Sequence, residues 1–180
     1  MKKTKTDEIS SLLKKYNQGV KIDLGCGSYK QKGFIGMDLL LLDGVDIVHD
    51  LEIYPWPLPD KCASVLMASH LIEHINPAKQ NFLKFMNEAW RILKPGGQFM
   101  ISLPYAGSPG YWQDPTHVNG CTEATWAYFD PLAGGLYRIY EPAPWKIINC
   151  FYQVDGNMEV LLEKRIDDIS YHKDKQIKYK

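Results

Sequence analysis

Val20-Lys21-Ile22-Asp23-Leu24-Gly25-Cys26-Gly27 is the stretch from which the rest of the chain reads. Its apolar residues predict a strand over Val20–Leu24 that carries Asp23 toward its carboxyl end. The two glycines then let the backbone turn sharply and approach a ligand closely. A dinucleotide fold would place a third glycine three residues later. That position holds Lys30, so the nicotinamide fingerprint fails and the oxidoreductase reading loses ground.

Reading outward, Phe34-Ile35-Gly36-Met37-Asp38 predicts a second strand and Asp46-Ile47-Val48-His49 a third. Each of the three strands ends at or just before an acid: Asp23, Asp38 and Asp50. Tyr54-Pro55-Trp56-Pro57-Leu58-Pro59-Asp60 is too rich in proline for a regular element. Ala63–Ala68 predicts a fourth strand. Asn76-Pro77 predicts a helix start, with Phe82, Phe85, Met86, Ala89 and Leu93 at helical spacing and Pro95-Gly96-Gly97 as the stop. Gln98–Leu103 predicts a fifth strand. Near the start of the chain, Asp7–Tyr16 predicts a short helix; near its end, Trp145–Gln153 and Met158–Arg165 predict a hairpin through Asp155-Gly156-Asn157.

Residues 104–145 differ in composition. They hold nine of the 22 aromatic residues and six of the 11 prolines, so this stretch is expected to carry function or small helices of its own rather than to be a plain connector. Strands alternating with helices before a closing hairpin predict an α/β fold with a mostly parallel sheet. Ligands bind such sheets at the carboxyl ends of the strands, where the three acids and the glycine turn fall.

At 180 residues the chain is expected to be a single domain over 1–180, with a cofactor half at 20–103, the insert at 104–145, the hairpin at 145–165 and a basic tail at 171–180. Its 45% hydrophobic and 23% charged residues exclude a disordered chain or a coiled coil. The formal net charge of zero hides an asymmetry. Without residues 1–5 and 173–180, the body carries a net charge of −6, which makes it a poor general phosphate binder. Asp7 and Glu8 interrupt any leader, and no apolar run is long enough for a membrane helix. Cys26, Cys62, Cys121 and Cys150 form no Cys-x-x-Cys pair and no short Cys/His ligand spacing. Reduced thiols in a cytoplasmic protein are expected, with no structural zinc and no metal.

A ligand that meets acids at successive strand ends and no phosphate-binding cation fits an adenosine without phosphates. Asp38 is placed to accept both ribose hydroxyls and Asp50 to accept the adenine amino group. The acidic surroundings would also favour an attached cation.

The set of motifs resembles that of the class I S-adenosylmethionine-dependent methyltransferases. Ile22–Gly27 resembles the first motif of that family, and Met37-Asp38 its acidic second strand end. Asp50-Leu51 resembles its adenine-binding pair. Leu58-Pro59-Asp60, His70-Leu71-Ile72-Glu73-His74 and Leu93-Lys94-Pro95-Gly96-Gly97 follow in the family's order, so the resemblance covers residues 20–103. It implies a Rossmann-like seven-stranded sheet with a C-terminal antiparallel hairpin, and S-adenosylmethionine as cofactor with S-adenosylhomocysteine as product. It implies cofactor contacts from Asp23, Gly25, Cys26, Gly27, Asp38, Leu39, Asp50, Leu51, Ser69 and His70. Three features depart from the pattern: Tyr29 replaces a further glycine, Ala63-Ser64 replaces an aromatic–acid pair, and the first two crossovers are too short for ordinary helices. A trimmed cofactor domain follows, and a partner chain or homo-oligomer could cover one of its flanks.

The resemblance also implies in-line methyl transfer to an acceptor entering beside the insert. His117, in Asp114-Pro115-Thr116-His117, is the candidate general base; its bland reading is a loop histidine bonded to backbone. Tyr105, Tyr111 and Trp112 are the acceptor-contact candidates, with Trp126 and Tyr128 behind them as equally good members of a lid core. Glu73-His74 reads as a helix start or cap. An unidentified small-molecule acceptor is favoured over nucleic acid or protein. A non-catalytic cofactor-binding or assembly subunit is the reading from a different class.

Overall fold

The computed structural model describes residues 5–16 and 19–167; the basic tail expected at 171–180 lies outside them. In chain order the elements are α1 (Lys5–Lys14), β1 (Val20–Leu24), β2 (Ile35–Asp38), β3 (Ile47–Val48), β4 (Ala63–Ser69), α2 (Asn81–Ile92) and β5 (Leu93–Pro104). The insert contributes α3 (Pro109–Trp112) and α4 (Glu123–Trp126), and β6 (Trp145–Tyr152) and β7 (Asn157–Lys164) form the hairpin. One sheet holds all seven strands in the order β3-β2-β1-β4-β5-β7-β6. The first five are parallel; β7 runs antiparallel to β5, and β6 antiparallel to β7. The expected Rossmann-like architecture is therefore present, with its shortened front half.

Residues 25–34 and 39–46 contain no helix, and side chains bind these short crossovers instead. Asp46 accepts from Gly36 N at 2.8 Å and from Lys30 Nζ at 2.7 Å, tying the β1–β2 loop to the strand beyond. A Cβ on Gly36 would come within 2.7 Å of Cys26 Sγ and 2.8 Å of the Lys30 stem, so only glycine lets this loop lie flat on β2.

Two boundaries differ from those predicted. Asn76 precedes only a 3-10 turn, whose cap position is Pro77, and its side chain accepts from Ala78 N at 2.9 Å. Lys79 and Gln80 then adopt left-handed backbone, so the helix starts afresh at Asn81. At its other end α2 stops at Ile92, before Pro95-Gly96-Gly97. The strand begins immediately, because Ala63 pairs with Leu93 and Val65 with Gln98, leaving the Pro-Gly-Gly segment as a bulge inside β5. Proline is tolerated at such a bulge, so here it interrupts a strand instead of stopping a helix.

The core lies between α2 and one face of the sheet. Phe85 meets Trp56 edge-on at 5.3 Å, and Phe99 meets Trp145 at 5.9 Å. Phe82 meets Phe129 of the insert at 5.4 Å. Lys164 closes α2 by donating to the Trp90 and Leu93 carbonyls, both at 2.8 Å, which complements the negative helix end. Arg91 grips Glu88 and Asp60 and so holds the proline-rich segment on α2. The insert is bolted to the hairpin by a buried ion pair, Arg165–Asp130 at 2.6 Å, and Asp130 also accepts from Ile147 N and Leu132 N. Along β5, buried Phe99, Ile101 and Leu103 alternate with Met100 and Ser102, whose face is less covered.

Candidate active site

β1, β2 and β3 end side by side, and their loops converge on the glycine turn. Gly25 and Gly27 both have positive φ, +66° and +52°, which a side chain would strain. A Cβ on Gly25 would also come within 2.7 Å of Leu71 beyond β4, so the turn nests against the segment after that strand. Asp38 binds the turn directly. One carboxylate oxygen accepts from Gly27 N at 2.9 Å and the other from Leu40 N at 3.0 Å. A carboxylate offers about four acceptor sites, so two remain for ribose hydroxyls.

Asp23 is buried and accepts from Gln31 N at 2.8 Å. Burial raises its pKa, the Gln31 hydrogen bond opposes the rise, and the charge on Asp38 adds to it. Burial and the two neighbouring acids push the Cys26 thiol up to about 11. It is therefore a neutral thiol near pH 7, which suits a small packing residue rather than a nucleophile. Asp50 turns its own loop, accepting from Glu52 N at 2.9 Å, and Leu51 beneath it is buried. Leu39, expected as a cofactor contact, is exposed just past the end of β2. Ser69 ends β4, paired in register with Ser102 of β5, and the His70 amide donates to the Ser102 carbonyl at 2.8 Å.

Beyond β4 lies a cavity of about 300 Å³ walled by His70, Glu73, His74, Asp114 and His117 together with the hairpin turn at Gly156. Three hydrogen bonds bring the insert to it. Val118 N and Asn119 N donate to the Glu73 carbonyl at 2.9 and 3.0 Å, and Asn119 Nδ2 donates to the Ile72 carbonyl at 3.0 Å. His117 Nδ1 lies 2.7 Å from the Tyr111 carbonyl. A carbonyl can only accept, so Nδ1 carries the proton and Nε2 of the neutral ring carries the lone pair. The hydrogen bond to backbone thus engages one ring nitrogen of His117 and leaves the other with its lone pair, in a residue that lines the cavity. Tyr111 is buried behind that ring, with centroids 5.4 Å apart. Trp112 is 75% exposed and donates to the Ala106 carbonyl, while Tyr105 forms a bridge with Cys121 and stacks near Tyr152. These three aromatics surround the insert's root without walling the cavity. Trp126 belongs to the core, against Phe82 and Phe129, and Tyr128 stacks with Tyr140.

Sequence reasoning missed the state of Glu73. It sits in the 3-10 turn Ile72–His74, fully buried, and neither carboxylate oxygen has a hydrogen-bond partner among the described residues. His70 Nδ1 lies 3.2 Å from one of them, an ion pair when that imidazole is protonated. The density of ionisable residues in His70-Leu71-Ile72-Glu73-His74 was the available signal, but only the fold sets it against Asp114 and His117.

The methyltransferase domain family's sequence profile matches residues 41–101. A Mycolicibacterium smegmatis protein described as a "probable S-adenosylmethionine-dependent methyltransferase" is 38% identical over 60 residues. That stretch is 33% of this chain and 21% of the relative, so the chain spans about a fifth of the length of the curated protein it matches. Among solved structures, an S-adenosylmethionine-dependent methyltransferase from Archaeoglobus fulgidus superposes with a TM-score of 0.58 at 16% identity, over 88% of this chain and 92% of that one. The [4+2]-cyclase SpnF superposes with a TM-score of 0.57 at 14% identity, over 89% of this chain and 81% of that one. At these identities the structures report the fold alone. Among the described residues no helix is long and apolar enough to cross a membrane. The matched profile runs from the loop before β3 through β4 and α2 into β5, so this part of the chain is similar to the methyltransferase domain family.

Proposed function

We propose that this protein transfers the methyl group of S-adenosylmethionine to a small-molecule acceptor. The observation that carries the reading is Asp38, held at the end of β2 by Gly27 N and Leu40 N with acceptor capacity to spare. In this reading Asp38 holds the ribose, Asp50 and Leu51 the adenine, and Asp23 the methionine end. His70 lies where β4 leads from cofactor to acceptor. A lone pair on the acceptor forms the new bond to the methyl carbon as the carbon–sulfur bond breaks. The bonding pair stays on sulfur, and the sulfonium charge is lost. Alignment of acceptor, methyl and sulfur supplies most of what the protein contributes. A hydroxyl acceptor gives its proton to His117 Nε2, whereas a neutral amine releases its own to water afterwards.

The size of the cavity and the acidic body support a small acceptor over nucleic acid. The shortened front half, whose first two crossovers carry no helix, favours keeping one second reading, a domain that binds the cofactor without transferring its methyl group. Calorimetry with S-adenosylmethionine and S-adenosylhomocysteine, with NADH as control, tests the first step. A screen with radiolabelled methyl donor tests the second. Cofactor binding without transfer to any member of hydroxyl, amine and thiol panels would favour the non-catalytic reading. Absence of binding by folded protein would defeat both.

A further inference from the structure

The Glu73 carboxylate has no account in the cofactor site. A buried carboxylate without hydrogen bonds is costly, and such groups are ordinarily paired or bound to a cation. Besides the His70 imidazole at 3.2 Å, two more stand near it: one ligand-type atom each from Glu73, His74 and His117 lies within 4.8 Å of the others. We propose that Glu73, His74 and His117 form a binding site for a divalent transition-metal ion, zinc by its ligand chemistry, open toward the cavity beyond β4.

Tautomers support the assignment. His117 Nδ1–H is committed to the Tyr111 carbonyl. Thr116 donates its hydroxyl proton to Asp114 at 2.7 Å, since a carboxylate accepts. The same Thr116 oxygen, 3.3 Å from His74 Nδ1, can then only accept from that ring. Both histidines therefore keep a lone pair on Nε2, and both have the outer hydrogen-bond partner that metal-ligating histidines typically show. Their rings meet edge-on, with centroids 4.8 Å apart. Zinc bonds of about 2.0–2.2 Å to nitrogen and carboxylate oxygen at tetrahedral angles hold the donor atoms about 3.3–3.6 Å apart. Closing from 4.8 Å needs a shift of roughly 1–1.5 Å at tetrahedral angles, which falls to the exposed ring of His74. Two histidines and a carboxylate are a ligand set that leaves coordination positions free. Asp114, with Oδ2 3.8 Å from His117 Nε2, adds a second negative charge beside the ion. There the ion would act as a Lewis acid on an acceptor oxygen or sulfur, and His117 would be its ligand rather than a free base.

The site stands independently of the cofactor reading. The test uses the full chain, stripped with chelator and buffer-exchanged. It is titrated with Zn²⁺ by calorimetry and with Co²⁺ by visible absorption, with S-adenosylhomocysteine binding followed on the same sample. One equivalent of Zn²⁺ and a Co²⁺ spectrum of four- or five-coordinate type are expected. Glu73→Gln, which keeps the shape of the side chain, and His117→Ala should each weaken Zn²⁺ by more than the roughly 10- to 100-fold cost of losing an outer partner. Thr116→Val, which removes His74's acceptor and one donor to Asp114 but no ligand atom, should weaken it by about 10-fold. His49→Ala, remote and bonded to the Ile53 carbonyl, should leave it unchanged. No stoichiometric binding by folded wild type, or binding untouched by Glu73→Gln and His117→Ala, would overturn the site. Either result leaves the S-adenosylhomocysteine measurement to judge the cofactor reading separately.

Discussion

The loops that follow β1–β3 and the segment that follows β4 meet at one end of the sheet, yet they treat their carboxylates in opposite ways. At the first, Asp38 receives a backbone N–H on each oxygen. At the second, Glu73 is buried more completely and receives none among the described residues. The first arrangement is stable without a ligand and only needs spare acceptor capacity to bind one. The second destabilises the ligand-free protein and makes sense when a cation neutralises it. Self-satisfied carboxylates therefore read as scaffolds that also bind, and unsatisfied ones as sites waiting for a partner.

A third carboxylate sets the upper end of the scale. Asp130 is buried and fully engaged by Arg165 and two backbone amides. Replacing it with Ala leaves the Arg165 guanidinium without its buried partner, a loss of about 3–5 kcal/mol. Urea denaturation should show it as a lowered midpoint, with the insert detaching from the hairpin. A loss below about 1 kcal/mol would mean that Asp167, 2.6 Å from Arg165 Nη1, takes over the charge.

Next in size is Asp38→Ala. Charge-assisted hydrogen bonds contribute about 1.5–3 kcal/mol each, so losing two to the ribose should weaken S-adenosylhomocysteine by about 100-fold or more. The Gly27 and Leu40 amides lose their acceptor at the same time, so stability should also fall by about 1–3 kcal/mol. Affinity and stability falling together is what distinguishes a carboxylate that is scaffold and ligand at once. Stability falling alone would reduce Asp38 to scaffold.

Glu73→Met should do the reverse. Substituting an apolar side chain of similar length removes an unpartnered polar group, and the metal-free variant should be more stable than wild type by about 1–3 kcal/mol. Denaturation in chelator measures this. Adding Zn²⁺ at 100 times its dissociation constant should restore about 2.7 kcal/mol to wild type and nothing to the variant. A destabilised Glu73→Met in chelator would show that the carboxylate has a partner within the protein after all.

The contrast also explains what could be read from the sequence. The candidate cofactor end is built from consecutive residues: Asp23 through Gly27 on one turn, Met37-Asp38 at one strand end, Asp50-Leu51 at another. Their placement follows from backbone geometry that local sequence dictates, so they were legible. The β5 start was not, because Pro95-Gly96-Gly97 has the same composition whether it ends a helix or bulges a strand. Only pairing of Leu93 with Ala63 decides between them. Glu73, His74 and His117 were illegible as a set for a related reason. They converge through three backbone-directed hydrogen bonds between β4's far side and the insert, and no local spacing encodes that.

The smallest effect belongs to Asp23, between the two extremes: buried like Glu73, but with one backbone donor from Gln31. Burial is the largest influence and raises its pKa. The folded protein therefore holds this proton at pH values where the unfolded chain, with an ordinary aspartate near 3.9, has released it. Stability contributed by this group is then lost as pH rises from the unfolded value through the raised folded one, and the penalty is complete above both. Asn at this position keeps an acceptor for Gln31 and does not titrate. Asp23→Asn should match wild type below about pH 3.9, overtake it through the window, and stay modestly more stable at pH 7. Thermal denaturation at several pH values measures the difference. Wild type gaining over the variant across that window would mean that the Gln31 hydrogen bond and Lys30 outweigh burial. Saturation with S-adenosylhomocysteine sharpens the test. Its ammonium group, placed beside Asp23 by the proposed binding mode, should favour the carboxylate and shift the balance at pH 7 back toward wild type.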